Sequence, residues 1–282
     1  MYYLLLILSA ALFASQFLFN QLFRKQCGSS SEASLLFMLC TSLAGFFLIF
    51  VINGFRLEFS VFSLWIAVLC SVVNLLYTAA SLKAFETVNL SVYSVFSMLG
   101  GMLLPSVFGI VFRDETLTTG KLVCFLFICA ALFFTTDRRA KKSKNAYFYY
   151  AAVFLLNGFT GVLSVIHQSG ASAVDSCSYL MHTRLISLLL SAAIYALKYR
   201  SFPSISVRPL LCCAAFALMC SLGNLFVLIA LKHIDASVQY PLITGGVMLF
   251  SLLISIIRRE RVTKRETFAS AAAFIASVIL VW

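Results

Sequence analysis

Charge is what this chain has least of, and acidic charge least of all. Ten of its 282 residues are Asp or Glu, against 21 Lys and Arg, and charged residues make up 11% of the total. A soluble domain carries about 25%, so this chain has too little polar surface to face water. The acids are also confined: Glu32, Glu58, Glu86, Asp114, Glu115, Asp137, Asp175, Asp235, Glu260 and Glu266 all fall in loops or at the ends of apolar stretches. A carrier that couples to protons through a buried carboxylate needs one at depth, where burial lifts its pKa. That mechanism is disfavoured here.

Chemical motifs are missing as well. The sequence has no C-x-x-C, no H-x-x-x-H, no Asp-rich cation motif and no glycine-rich phosphate loop followed by lysine. Metal, dithiol and nucleotide chemistry therefore have no visible equipment. Nine cysteines are present, but most, including Cys40, Cys70, Cys124, Cys129, Cys212, Cys213 and Cys220, lie inside apolar runs, where a thiol behaves as a small hydrophobe. We expect no cofactor, no metal and no enzymatic activity. The net charge of +11 calls for no nucleic-acid partner, because basic loops facing an anionic leaflet account for it.

What is present is hydrocarbon: 62% of the residues are hydrophobic and 28 are Phe. A bilayer core about 30 Å thick is crossed by roughly 20 apolar residues of helix, and backbone groups in lipid must be satisfied internally. Ten such runs can be marked off, at 2–23, 34–53, 61–82, 88–112, 118–136, 146–168, 176–197, 208–231, 236–257 and 263–282. The expected fold class is all-α: an integral membrane protein of ten transmembrane helices. The first run is read as a span and not a secretory signal, since it lacks a basic start and is about 22 residues long, against 7–15 for a signal's apolar region.

The chain repeats itself. Gly100-Gly101 is followed after eleven residues by Arg113-x-Glu115-x-Leu117-Thr118, and Gly245-Gly246 after eleven by Arg258-x-Glu260-x-Val262-Thr263. Upstream lie Asn74-Leu75 and Asn224-Leu225, then Lys83-x-x-Glu86 and Lys232-x-x-Asp235. One unit of about 140 residues, duplicated and fused, explains the shared order. The domains are a five-helix repeat at 1–137, a basic linker at 138–145 and a second repeat at 146–282. A unit with an odd number of spans ends on the opposite face from its start, so its copy runs upside down. The two are inverted repeats, an arrangement that in transporters places a site near the midplane.

Sixteen of the 21 basic residues fall in loops on one side, which becomes the cytoplasmic side and leaves both termini outside. Arg184 is the one strong charge inside a span, nine residues beyond Asp175 and so ~13 Å along the helix. An unmatched arginine at such depth costs about 2.5–3.5 kcal/mol. Two readings stand: it pairs with an anionic group of a substrate such as a carboxylate, or it snorkels or bonds backbone carbonyls. His182 is either a packed polar residue or a relay. Asn74 and Asn224 occupy matching places in the third and eighth spans, where they bond a neighbouring helix or line a pathway. Gln16 and Asn20 share a face of the first helix, with Asn157 as their counterpart from the second copy. Tyr93 and Ser97 in the fourth helix, and Tyr240 and Thr244 in the ninth, complete the candidate substrate site. The Lys-x-x-acid pairs read as ion pairs at helix ends, and Glu115 and Glu260 as N-terminal signals of the fifth and tenth helices.

This arrangement, with a glycine-containing fourth helix running into Glu and then Leu/Val-Thr in each half, resembles the drug/metabolite transporter superfamily, specifically its EamA-type exporters. Tyr240-Pro-Leu-Ile-Thr-Gly-Gly246 is similar to the glycine motif of the related small multidrug resistance proteins. The resemblance implies a cavity between helices 1–4 and 6–9, with helices 5 and 10 peripheral, and an arginine in the seventh helix, which Arg184 matches. It also implies a second-helix arginine where this chain has Thr41, a first-helix glutamate where it has Gln16, and cytoplasmic termini, opposite to the charge count. The expected function is a secondary transporter in the cell membrane, a monomer or homodimer in the lipid bilayer, moving a small-molecule substrate: a small polar metabolite such as an amino acid or other carboxylate. Alternatives are a flippase for a lipid-linked headgroup and a non-transporting sensor or assembly subunit.

Overall fold

A computed structural model gives ten α-helices: α1 (Tyr2–Cys27), α2 (Ser31–Ile52), α3 (Val61–Thr87), α4 (Leu90–Phe112), α5 (Thr119–Thr135), α6 (Ala146–Ser169), α7 (Ser176–Lys198), α8 (Val207–Ala230), α9 (Ala236–Ile257) and α10 (Lys264–Ile279). It describes residues 1–28, 30–87, 90–135, 146–199, 206–259 and 264–279, the side chains of 21, 81–87, 90–96, 132, 134, 135, 146, 147, 150, 265, 266, 269, 278 and 279 apart. The basic linker 138–145 and Glu260 lie outside the described residues, as do the side chains of Lys83, Glu86 and Tyr93. Among the described residues seven helices, α1, α2, α3, α6, α7, α8 and α9, are long and apolar enough to cross a membrane. The protein is a multi-pass membrane protein.

Local chemistry sets the helix ends. The Ser30 side chain accepts a hydrogen bond from the Ala33 N–H and starts α2 three residues before the expected position. Asp175 caps α7 by accepting from the Cys177 and Ser178 N–H groups. At the other end of α1, Arg24 and Lys25 occupy the last turn, where cations favour the negative end of the helix dipole. The helix therefore runs to Cys27, past the expected stop at 23. Large apolar side chains point outward, among them Phe47, Trp65, Phe112 and Leu197, all more than half exposed. This pattern suits lipid, which solvates them.

The helices do not pack in chain order. α1 lies against α8 and α9, α2 against α7 and α8, α3 against α6 and α7, and α4 against α6 and α9. Followed from neighbour to neighbour, eight helices close a ring in the order α1, α8, α2, α7, α3, α6, α4, α9 and back to α1. Helices α5 and α10 pack on each other and on α4 and α9, outside that ring. Exchanging each helix of the first five with the one five places later maps these neighbours onto one another. The packing is pseudo-symmetric, and the two halves interleave rather than sitting side by side.

The glycine pairs show the same symmetry at residue scale. A Cβ on Gly101 would fall 2.6 Å from Asn157 Nδ2 on α6, and one on Gly246 would fall 2.7 Å from Ala10 Cβ on α1. Each glycine lets its helix approach the first helix of the other half. Asn157 thus matches Ala10, and not Gln16 or Asn20 as the sequence suggests: the register between the halves is set by glycine contacts and not by polar type.

Candidate functional site

Arg184 lies on the inward-turned face of α7. Ser187, Ser191 and Tyr195 share that face and are buried, while Leu189 and Leu197 on the opposite side are exposed. The guanidinium, itself half-buried, reaches α8, where Nη2 donates to Cys220 Sγ at 3.1 Å. Gly45 on α2 makes the room. A Cβ there would lie 3.0 Å from Ser221 Oγ and 3.2 Å from Arg184 Nε, so hydroxyl and guanidinium both pack closely against the bare backbone of Gly45. Among the described residues no carboxylate pairs with Arg184; the salt bridge found there is Lys121–Asp235, at 3.3 Å.

The two asparagines bond within their own helices. Asn74 Nδ2 donates to Cys70 Sγ at 3.5 Å, and Asn224 Nδ2 donates to the Cys220 carbonyl at 2.7 Å and to Cys220 Sγ at 3.4 Å. Among the described residues these bonds run to a residue one turn earlier in the same helix. The positions match because a longer motif repeats: Cys70-Ser71-x-x-Asn74-Leu75 and Cys220-Ser221-x-x-Asn224-Leu225. Sequence reasoning found the Asn-Leu pair and missed the cysteine and serine before it.

The serines of this motif separate the halves. Ser71 is saturated: its hydroxyl donates to the Thr183 carbonyl at 3.0 Å and accepts from Ser187 Oγ at 3.2 Å. Ser221, fully buried beside Gly45, has no hydrogen-bond partner. Burying a polar group without a partner costs free energy. One member of the pseudo-symmetric pair is therefore closed on itself, and the other presents an unused hydroxyl next to an unmatched cation.

The remaining candidates spread along the ring. Gln16 on α1 buries its Oε1 without a partner, and Asn20 is half-buried one turn on. Asn157 Nδ2 donates to the Ser97 carbonyl at 2.7 Å, and Ser97 Oγ lies 2.8 Å from the Tyr77 hydroxyl. These groups tie α6, α4 and α3 together. Tyr240 donates to the Gly161 carbonyl at 3.2 Å, and Thr244 is buried. His182 is buried, with Nδ1 unpartnered, and presents an edge to Phe59. The structure brings Arg184 together with Asn224 through Cys220; it does not gather all the candidates at one point. Thr41 donates to its own helix at the Phe37 carbonyl.

The acids act at the membrane faces. Glu115, expected to mark the start of α5, instead accepts from the first two N–H groups of α9, Ala236 and Ser237, both at 2.9 Å. It reaches there because Gly109 leaves space: a Cβ at that position would sit 2.5 Å from Glu115 Oε1. Asp235, expected to pair with Lys232, takes Lys121 instead. On the same face Glu58 Oε2 accepts from the Asp175 N–H, and the Glu58 N–H donates to Ser178. Two turns of the first half, at Glu58 and at Glu115, thus each clasp one of the second, which a local reading of either turn cannot reveal. Tyr195 meanwhile donates to Glu32 at 2.9 Å.

No family model matches the chain. Three curated proteins are similar to it, two from Bacillus cereus (strains ATCC 10987 and ATCC 14579) and one from Bacillus anthracis, each described as a "Putative sugar uptake protein". Each is 22% identical over 205 residues, covering 71% of this chain and 70% of the relative. The fold itself has a solved precedent. A crystal structure of another protein superposes with a TM-score of 0.80 at 15% identity, over 99% of this chain and 95% of its own.

Proposed function

We propose that this chain is a secondary transporter for a small polar metabolite, built as two inverted repeats of five membrane-spanning helices in the manner of the drug/metabolite transporters. It works by alternating access around a site at Arg184. The observation that carries the reading is the unmatched guanidinium inside the helix ring, beside the unpartnered hydroxyl of Ser221. Even a half-buried cation is costly without a counter-charge, and a substrate anion supplies one on binding. The ring supports the mechanism: every ring helix packs mainly against the other half, so the halves can rock about a shared centre.

The relatives named for sugar uptake support a small hydroxyl-rich solute, and Arg184 supports an anionic group on it. Asn224 and Gln16 offer further hydrogen-bonding groups. Flux into proteoliposomes tests this: the parent protein moves a radiolabelled organic anion down its gradient, and Arg184→Gln lowers the rate at least tenfold with unchanged insertion. Equal rates would remove Arg184 from the site.

A second reading, flipping of a lipid-linked headgroup, has one observation in its favour. A groove between α1 and α9, lined by Phe17, Leu18, Ile254 and Arg258, joins apolar side chains to a cation at the basic face. Flux of a water-soluble substrate in lipid that contains no headgroup carrier separates the two.

A further inference from the structure

We infer that the Arg184 site takes a hydroxylated monoanion, an α-hydroxy carboxylate, and discriminates against the amino acid of the same skeleton. This inference rests on the transporter reading above and narrows it.

The first ground is the charge inventory of the ring. An amino acid brings an ammonium as well as a carboxylate, and an ammonium taken from water needs an anion or several oriented acceptors. The described acids are all engaged or placed elsewhere. Glu32 sits in the first turn of α2 with Tyr195 on it. Glu58 and Asp175 serve the turn before α7, Glu115 caps α9, and Asp235 holds Lys121. Asp114 lies in the turn after α4, Glu86 is the penultimate residue of α3, and Glu266 is in the first turn of α10. The last two acids, Asp137 and Glu260, fall in sequence between helices. None of the ten is within a helix at the depth of Arg184. An ammonium held next to a carboxylate bound there meets a like charge and no opposite one.

The second ground is what the site offers in place of an anion. Ser221 Oγ is fully buried and unpartnered, and it packs against the same glycine, Gly45, as Arg184 Nε. A hydroxyl can donate to that oxygen and accept from it. The α-hydroxyl of a hydroxy acid is adjacent to its carboxylate, so one small molecule can meet Arg184 with its anion and Ser221 with its hydroxyl. A neutral partner balances a neutral group, and a single negative charge balances the single guanidinium.

Matched pairs test this on the full-length protein in nanodiscs. Binding of lactate, alanine and propionate is measured by calorimetry near pH 7, with glucose as a neutral control. The expected order is lactate above propionate, with alanine at least tenfold weaker than lactate. Ser221→Ala should bring lactate down to the level of propionate while leaving propionate unchanged, an effect that general loosening of the fold would not produce. Gly45→Ala should weaken both anions by crowding Arg184. Alanine binding as tightly as lactate would overturn the inference. So would a lactate preference that survives Ser221→Ala. Glucose binding without any anion binding would also overturn it while leaving a transporter of neutral solutes standing; no binding by any of the four, with glucose and anion flux both absent, would overturn the transporter reading itself.

Discussion

At the scale of single residues the candidate site is defined by what is missing around Arg184 among the described residues: a Cβ at position 45, a partner for Ser221, and a carboxylate paired with the guanidinium. The first of these can be tested by adding one methyl group. A contact of 3.0–3.2 Å from a new Cβ to Ser221 Oγ and Arg184 Nε forces one of the two to move. Gly45→Ala is expected to lower substrate flux about tenfold, equivalent to ~1.4 kcal/mol of binding, and to change the melting temperature little, since Arg184 is flexible. A large fall in melting temperature with unchanged flux would mean that Gly45 serves packing alone. Replacing Arg184 by Lys keeps the charge but loses the planar fork that binds a carboxylate in two places. Flux in that variant should fall between the parent and Arg184→Gln, seen as a raised KM for the anion.

At the scale of elements, two devices join the halves. The carboxylate of Glu115 serves as the N-cap that α9 lacks: Asp235 precedes the helix but makes no side-chain cap bond, and Glu115 satisfies the first two N–H groups from another turn. Removing a cap costs about 0.5–2 kcal/mol, so Glu115→Ala should lower thermal stability by that order, and Glu115→Gln by less because one acceptor remains. Hydrogen exchange at Ala236 and Ser237 should rise in step. The second device is the close approach of α4 and α6. A Cβ on Gly100 would run into the backbone of Phe154, and a backbone cannot swing aside. Gly100→Ala is expected to destabilise by about 1–3 kcal/mol, read as a loss of folded protein in detergent. The helices themselves were legible from the length of the apolar runs, to within five residues at each end. The target of Glu115 was not, because its sequence looks like a local helix signal and its partner lies 121 residues away.

At the scale of the whole molecule, eight of the ten helices form a ring whose neighbours come from opposite halves, with α5 and α10 outside it. Repeated polar motifs are the sequence's sign of duplication, and the helix packing is pseudo-symmetric. Interleaving was not visible, since nothing in a helix's own sequence names the helix it packs on. The site was half legible: Arg184 stands out as a charge in hydrocarbon, whereas Ser221 and Gly45 look like ordinary small residues until the fold places them beside it. Turn 53–60 clasps 170–175 and turn 113–118 clasps 231–235, and the proposed ten-span topology puts all four on one membrane face. Cysteines introduced singly at Ser172 and Leu117 should therefore react with an impermeant thiol reagent from the same side of intact cells, opposite to one at Gly28. Labelling of all three from one side would contradict the arrangement.

The most direct test of the central claim is uptake of a labelled α-hydroxy carboxylate by proteoliposomes, with the parent and Arg184→Gln compared at equal reconstituted amounts. Saturable uptake that accelerates when the vesicles are preloaded with unlabelled substrate, and that is lost in the variant, is the predicted result. Uptake indifferent to preloading and equal in the two proteins would contradict an alternating-access carrier built around Arg184.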